Sequence, residues 1–198
     1  MILIHPRRFF RKMIPWCEVS LFRLRCRIRH VHCEIGENTR IRHCRVLSKK
    51  DGILIIGSNC TLQGAEFCFY GHGGRIELKD RIYINAYSRT RASFFASDHS
   101  VIRIGSDCLF SNSIDVTTTD WHRIYDKEGN VLNPNKDVQI GNHVWCGRKV
   151  TICKGVSLPD NAIIGACSVV TRSFDENDGI VIAGNPAEEK KRGTRWHL

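Results

Sequence analysis

The 198-residue sequence has no long hydrophobic run, although 42% of its residues are hydrophobic. Charged residues interrupt every apolar stretch, so none approaches the roughly 20 residues that a transmembrane helix requires. The N-terminal stretch MILIHPRRFFRKMIPW also has no uninterrupted apolar segment followed by a small-residue cleavage site. The sequence therefore predicts one globular domain with a cytoplasmic location.

The C-x-x-C pair is also absent, although the chain has ten cysteines. Zinc ribbons and thioredoxin-like sites are built on that pair. Disulfide scaffolds are short secreted chains with a cysteine content above about 8–10%, which is roughly twice the density found here. The cysteines are therefore predicted to be reduced and to act as small apolar side chains.

Acidic residues are scarce: 20 Asp and Glu stand against 30 Lys and Arg, which gives a net charge of +10. Such a charge permits an anionic partner, whether nucleic acid, a membrane surface or a phosphorylated cofactor. No nucleic-acid-binding motif accompanies the basic residues. We therefore expect no nucleic-acid partner.

A six-residue repeat occupies the sequence after Gln139, which divides into IGNHVW, CGRKVT, ICKGVS, LPDNAI, IGACSV and VTRSF. The residues in the first position of these units are Ile140, Cys146, Ile152, Leu158, Ile164 and Val170. Weaker copies lie upstream, and their first positions are Ile35, Ile41 and Leu47, then Ile56, Leu62 and Cys68, then Leu78 and Ile84, and then Ile104, Phe110 and Val116. A fixed period of six favours a solenoid over a β-sandwich, whose strands alternate with a period of two.

Three short strands joined by tight turns close one triangular coil, in which the first residue of each unit points inward. Coils then stack at the inter-strand spacing of roughly 4.8 Å, so that each coil buries its neighbours. The sequence predicts an N-terminal cap over 1–34, an all-β solenoid over 35–174 and a C-terminal tail over 175–198. Within the solenoid, the segment 118–137 interrupts the repeat and is predicted to be a long loop, a feature that is usually functional.

Three segments resemble the hexapeptide-repeat acetyltransferases, and among them the sugar and polysaccharide O-acetyltransferases: TTTDWHRIYD followed by NPNKDVQIG, then IGNHVWCGRKVTICKGV, and VIAGNPA. The resemblance implies a left-handed parallel β-helix that transfers an acetyl group from acetyl-CoA to a sugar or polysaccharide hydroxyl. Acetyl-CoA would be a co-substrate, with no permanently bound cofactor and no metal. The resemblance also implies a homotrimer whose active sites are shared between neighbouring prisms.

The resemblance places the catalytic base at His122, in the long loop. An imidazole suits the step because its pKa lies near neutrality, so it takes a proton from the hydroxyl that attacks the thioester. Asp120 or Asp126 would hold the ring in the correct tautomer, and the sequence does not choose between them. His99 is a second candidate for the base, and His143 is a weaker one.

Trp145 and Gly147 match the family segment that borders the pantetheine slot and the reacting carbonyl of acetyl-CoA, the acetyl donor. The resemblance also assigns a catalytic role to Trp145. Further predicted donor contacts are Lys154, Ala166, Arg172, Asn185, Pro186 and Lys191. Lys191 stands in a basic tail with Lys190 and Arg192, and cations of this kind bind phosphates. Asn85 and Tyr125 are predicted to contact the acceptor.

Four alternatives stay open at this stage. In the first two, the acceptor is an amino sugar or the hydroxyl group of serine. In the third, the prism is a zinc enzyme of the carbonic anhydrase type, which needs three converging histidines. In the fourth, the solenoid is a non-catalytic scaffold. The N-terminal segment with Phe9, Phe10 and Trp16 either caps the first coil or makes a peripheral contact with an anionic membrane.

Overall fold

The computed structural model describes residues 18–87, 89–175 and 179–197. A helix over residues 18–28 (α1) is followed by a long series of short strands. Every third strand belongs to the same sheet, and neighbouring strands of a sheet run parallel until the C-terminal hairpin. This is a left-handed parallel β-helix, so the predicted fold class is confirmed.

The three sheets are the faces of the prism. Sheet 1 contains β1 (Val31–Ile35), β4 (Gly52–Ile56), β7 (Gly74–Leu78), β10 (Val101–Ile104), β13 (Val138–Ile140) and β16 (Ser157–Leu158). Sheet 2 contains β2 (Arg40–Arg42), β5 (Thr61–Gln63), β8 (Tyr83–Asn85), β11 (Leu109–Phe110), β14 (Trp145–Cys146), β17 (Ile163–Ile164), β19 (Val181–Gly184) and β20 (Ala187–Lys191). Sheet 3 contains β3 (Arg45–Ser48), β6 (Ala65–Tyr70), β9 (Ala92–Ser97), β12 (Ile114–Thr117), β15 (Thr151–Ile152) and β18 (Val169–Val170).

The C-terminal repeat has the predicted register. Its first-position residues pair one coil apart: Ile140 with Leu158, Cys146 with Ile164, and Ile152 with Val170. All six are at most 2% exposed, so these side chains fill the prism. Burial of each such side chain contributes about 1.5–3 kcal/mol, which offsets the cost of ordering very short strands.

In the upstream part of sheet 3, the predicted register is wrong by one residue. Val46 pairs with Phe67 and Phe67 with Phe94, and these buried residues form the inward row. Because side chains alternate along a strand, Leu47 and Cys68 lie on the outer face of the sheet instead. The longer strands here admit large aromatic residues: the rings of Phe67 and Phe94 stack with their centroids 5.7 Å apart.

Helix α1 packs against the same aromatic row. Its Phe22 is buried and meets the ring of Phe67 edge-on at 6.1 Å. The predicted membrane contact through Phe9, Phe10 and Trp16 falls outside the described residues. In the part of the chain that the structure covers, no helix is long and apolar enough to cross a membrane.

The cysteines of the described residues are free thiols, and Cys60, Cys108 and Cys146 are fully buried in the prism. Burial raises the pKa of Cys108 to about 12, so its thiol stays protonated at neutral pH. Its sulfur accepts a hydrogen bond from the backbone N–H of Val144 at 3.4 Å. These cysteines are the small, reduced core residues that the sequence predicted.

Truncation of the aromatic row should destabilise the fold. Phe94 is fully buried and contacts both Phe67 and Phe110, so Phe94→Ala should lower the free energy of unfolding by about 3–5 kcal/mol. Urea denaturation followed by circular dichroism measures this loss. Tyr87→Ala is the control because Tyr87 is 59% exposed, and its effect should stay within about 0.5 kcal/mol. Equal losses in the two variants would contradict the assignment of Phe94 to the core.

Candidate active site

The long loop leaves the prism between β12 and β13 and spans residues 118–137. Its neck is tied to the core by the buried residue Thr118. The Thr118 hydroxyl oxygen accepts hydrogen bonds from the backbone N–H of Ser97 at 3.1 Å and from the hydroxyl of Ser100 at 2.6 Å. The N–H of Lys136 donates to the Thr118 carbonyl at 3.0 Å, which closes the neck. The loop therefore starts and ends at a fixed point.

An aromatic contact holds the first turn of the loop against the outer face of sheet 3. The ring of Trp121 lies edge-on to the rings of Tyr70 and Phe95, with both centroid distances at 5.0 Å. Trp121 nevertheless stays 50% exposed. The backbone of the next residue, His122, is thereby positioned at the surface.

Lys154 clamps the two arms of the loop together. Its ammonium group lies 2.5 Å from Oδ2 of Asp120 and donates to the carbonyls of Asn133 and Pro134 at 3.0 Å. The Asn133 side chain in turn donates to Asp120 at 3.1 Å and to the carbonyl of His122 at 2.8 Å. Burial raises the pKa of the Asp120 carboxyl, but the hydrogen bonds from Lys154 and Asn133 outweigh it and hold that pKa below its usual range.

The His122 side chain is exposed, and its ring forms no hydrogen bond with any described residue. Its backbone N–H donates to the carbonyl of Asp120 at 2.8 Å. The Asp120 carboxylate itself is engaged by the clamp, and that of Asp126 accepts hydrogen bonds from Asn130 at 2.7 and 2.9 Å. Neither carboxylate contacts the imidazole, so both serve the loop in this structure.

The other two histidine candidates lie in different surroundings. His99 is exposed in the turn after β9, next to Asp98, whose carboxylate pairs with Arg123 of the loop at 3.6 Å. His143 lies before β14, and its ring stacks on Trp196 with centroids 4.2 Å apart. The structure thus brings His99 near the start of the histidine loop and separates His143 from it.

The outer part of the loop is a hairpin whose two arms carry apolar side chains on either side of a polar turn. Tyr125 and Val131 form an isolated bridge across it. Four of its large hydrophobic side chains are exposed: Ile124, Tyr125, Val131 and Leu132. Such a patch on a projecting arm is typical of a surface that contacts another molecule.

Trp145 lies on sheet 2, 37% exposed, with the Trp196 ring 6.1 Å away. Trp196 is held by its stack on His143 and by the hydrogen bond that its indole N–H donates to the His143 carbonyl at 3.0 Å. The C-terminal tail therefore forms one wall beside Trp145. The sequence interpretation missed Trp196, because nothing local indicates that a tail residue returns to β14.

Four predicted donor contacts follow strands of sheet 2 and share one edge of the prism: Gly147, Ala166, Asn185 and Pro186. Coils approach closely here: a Cβ at Gly147 would lie 2.9 Å from the amide nitrogen of Ala166 and from the carbonyl oxygen of Ile164. A larger residue at Gly147 would push the coils apart. The structure thus brings these four residues together, near Trp145.

Lys154 and Arg172 follow strands of sheet 3 and lie at another edge. Lys154 donates to three acceptors within the loop, which uses all three ammonium protons. Lys154 therefore holds the loop in this structure, and its predicted contact with the donor stays a prediction. The guanidinium of Arg172 lies over the ring of Phe174 at 4.6 Å.

In the basic tail, Lys190 pairs with Glu188 at 3.1 Å and Arg192 pairs with Glu189. Lys191, on β20, and Arg195 are both exposed and have no carboxylate partner among the residues described. Asn85 is exposed at the end of β8. It lies on sheet 2, away from the histidine loop.

The two halves of the predicted site lie on opposite sides of one chain. The loop with His122 leaves the edge between sheets 3 and 1, whereas Trp145 lies on sheet 2. In a triangular prism, each edge is opposite one face. Within one chain, the predicted base and the predicted donor slot therefore face different directions. Separately, no three His, Cys, Asp or Glu side chains in the described ranges group as metal ligands, which the zinc alternative requires.

No family model matches the chain. It is 47% identical over 128 residues to the polysialic acid O-acetyltransferase of Neisseria meningitidis, and the match covers 61% of this chain and 58% of that enzyme. It is 30% identical over 167 residues to the putative lipopolysaccharide biosynthesis O-acetyl transferase WbbJ of Escherichia coli, with 76% of this chain and 80% of that protein covered.

Solved structures agree with the fold. The polysialic acid O-acetyltransferase OatWY superposes with a TM-score of 0.53 at 27% identity, covering 85% of this chain and 88% of that one. The N-acyltransferase AntD of Bacillus cereus, in complex with dTDP-4-amino-4,6-dideoxyglucose and coenzyme A, gives a TM-score of 0.65 at 16% identity, covering 82% and 84%. Its sequence relatives and its β-helix fold show that the chain belongs to the hexapeptide-repeat acetyltransferases, in the branch of sugar and polysaccharide O-acetyltransferases.

Proposed function

We propose that this protein is an acetyl-CoA-dependent O-acetyltransferase of a sugar or polysaccharide hydroxyl, with His122 as the general base. The observation that carries the proposal is the loop that presents His122. Its backbone is fixed by Asn133 and by the neighbouring Trp121, while its ring is exposed and free of hydrogen bonds to the described residues. A side chain held in this way has no structural partner and is available to a substrate.

The transfer is direct. Nε2 or Nδ1 of His122 accepts the proton of the acceptor hydroxyl as its oxygen bonds to the thioester carbonyl carbon. The oxyanion that forms needs a fixed N–H donor, and a donor of this kind contributes about 3–4 kcal/mol. The intermediate collapses by breaking the carbon–sulfur bond, and the CoA thiolate takes the proton from the imidazolium. Trp145 and the backbone near Gly147 border the carbonyl on the donor side.

We further propose a homotrimer in which the loop of one copy meets sheet 2 of the next. The separation of His122 from Trp145 within one chain supports this arrangement, since the site is incomplete without a second copy. The exposed apolar arms of the hairpin around Tyr125 and Leu132 also support it, because a neighbouring prism would cover that patch. In such an assembly Tyr125 would reach the shared site from the loop side.

Related proteins support a sugar acceptor. Several of the proteins that the chain matches are named polysialic acid O-acetyltransferase, putative lipopolysaccharide biosynthesis O-acetyl transferase or galactoside O-acetyltransferase. A screen of glycan acceptors with purified protein and acetyl-CoA, in which the release of the CoA thiol is measured, tests the proposal. Faster transfer to amino sugars or to serine than to any sugar hydroxyl would contradict it.

Removal of the base should abolish turnover and spare donor binding. His122→Ala should lower kcat by about 10²–10⁴-fold, because one positioned base contributes that much. The dissociation constant of acetyl-CoA, measured by calorimetry, should not change, because the imidazole acts on the acceptor. The matched control is His99→Ala, which removes an exposed histidine near the loop. If kcat fell in His99→Ala and stayed near the wild-type value in His122→Ala, His99 would be the general base.

The clamp should affect the rate without affecting donor affinity. Lys154→Met leaves the Asp120 carboxylate without its ammonium partner and loosens the backbone at His122, so kcat should fall roughly 10- to 100-fold. The dissociation constant of acetyl-CoA should stay near the wild-type value. If Lys154 instead bound a donor phosphate, that constant would rise while kcat at saturation changed little. Lys79→Met, at an exposed corner, serves as the control.

Complementation tests the shared site. His122→Ala and Trp145→Ala should each be inactive alone. When the two variants are co-expressed, each mixed trimer has one interface with both residues intact, so about a quarter of wild-type activity should return. Mass spectrometry of the intact assembly measures the mixing. Mixed trimers without activity would show that each chain builds its own site.

A further inference from the structure

Helix α1 is apolar on the face that caps the prism. That face is formed by Val19, Phe22 and Cys26, and the last two are at most 2% exposed. These residues are three and four positions apart, the spacing that places side chains on one face of a helix. The guanidinium of Arg23 also ties the helix to the first coil, since it donates to the carbonyl of Ile35 at 3.1 Å. These contacts account for the role of α1 as a cap.

The opposite face of α1 is also apolar, and it is exposed. Leu21, Leu24 and Ile28 repeat the same spacing two positions later, and two positions turn a side chain by roughly 200° about the helix axis. These residues are 46%, 49% and 65% exposed. A helix that only covers a core has polar residues on its outer face. We call these three residues the α1 stripe, and the cap does not explain it.

Arginines border the α1 stripe on both flanks. Arg25 lies one turn after Leu21 on one side, because residues four apart are neighbours on a helix. Arg27 lies one turn after Leu24 on the other side. Both arginines are exposed and pair with no acidic side chain in the described ranges. The sequence has no Asp or Glu over residues 19–33, so nothing near the stripe offsets this charge.

The combination of an apolar stripe with basic flanks is what sets this surface apart. Exposed cations without a carboxylate partner also occur elsewhere in the described ranges, at Lys79 and Lys149 among others, but no group of exposed large apolar side chains adjoins those two. The hairpin of the histidine loop does have such a group, but Asp126 and Glu128 stand in its turn. The α1 stripe therefore combines apolar area with positive charge of one sign.

We propose that the α1 stripe lies on the surface of a membrane that contains anionic phospholipids. Its three side chains enter the boundary between headgroups and acyl chains, as the apolar face of an interfacial helix does. Arg25 and Arg27 extend from the edges of the stripe to the lipid phosphates, because long basic side chains keep their charged ends in the polar layer. A second copy of α1 and the segment 1–17 are both basic, so neither supplies the negative charge that the flanks attract.

Co-sedimentation of the full chain with vesicles tests the inference. The vesicles consist of phosphatidylcholine alone or of equal parts of phosphatidylcholine and phosphatidylglycerol. The wild-type protein should bind the anionic vesicles at least tenfold more tightly, and this binding should weaken as salt is added. Leu24→Ser with Ile28→Ser should weaken it roughly tenfold or more, because apolar area is lost from the contact.

The charge of the flanks is tested separately. Arg25→Gln with Arg27→Gln should weaken binding to the anionic vesicles roughly 25-fold, since each basic residue near such a surface contributes about a factor of five. The matched control is Lys79→Gln with Lys149→Gln, which removes two exposed cations outside α1 and should bind like the wild type. Circular dichroism checks that every variant keeps the fold.

Three outcomes would overturn the inference. The first is equal binding of the wild-type protein to the two kinds of vesicle, and the second is unchanged binding of the Leu24→Ser, Ile28→Ser variant. The third is a smaller particle mass of that variant in light scattering without vesicles, which would assign the stripe to a contact between copies. If Phe9→Ser with Phe10→Ser lost binding and the stripe variant kept it, the contact would belong to the segment before α1. No measurement here uses acetyl transfer, so the result does not depend on the proposed function.

Discussion

The stacking of coils along the prism axis is the constraint on which the rest of the structure depends. Each parallel strand donates and accepts its backbone hydrogen bonds with the coils on either side, so the strands have no freedom to rearrange for a ligand. The spacing between coils is fixed, and it excludes a side chain where coils come closest, as at Gly147. Function is left to the parts that depart from the coil: the outward side chains, the loop and the tail.

A loop that leaves such a prism loses the hydrogen bonds between strands of neighbouring coils and needs other contacts to hold its conformation. The segment 118–137 obtains them from three kinds of interaction: a buried hydroxyl network at Thr118, an aromatic contact at Trp121 and an ammonium clamp at Lys154. Lys154 is mostly buried, and a buried ammonium is costly unless its protons find acceptors. The same bonds that satisfy this charge also fix the backbone beside His122. The backbone that carries the imidazole is therefore held by hydrogen bonds that the buried ammonium group needs in any case.

The sequence predicted the inward-facing residues correctly where the coil geometry allows one such residue in each strand. In the C-terminal repeat, strands have one inward residue each, so the period of six identifies Cys146 and Ile164 as core. Sheet 3 upstream has longer strands with apolar residues on both faces, so a shift of one residue changes no local signal, and Leu47 and Cys68 were assigned to the wrong face. The contacts of Lys154 could not be predicted for another reason: its acceptors lie 20 or more residues away in the chain, and the sequence alone does not show which groups a lysine meets.

The positions of the loop and of Trp145 have a consequence for how an acceptor and a donor would share this molecule. Trp121 of the loop packs against sheet 3, whereas Trp145 and Gly147 lie on or beside sheet 2. Under the proposed function, the acceptor approaches His122 on the loop side of one prism, while coenzyme A occupies the groove that the next copy completes. The two substrates then approach from different sides and need not displace each other.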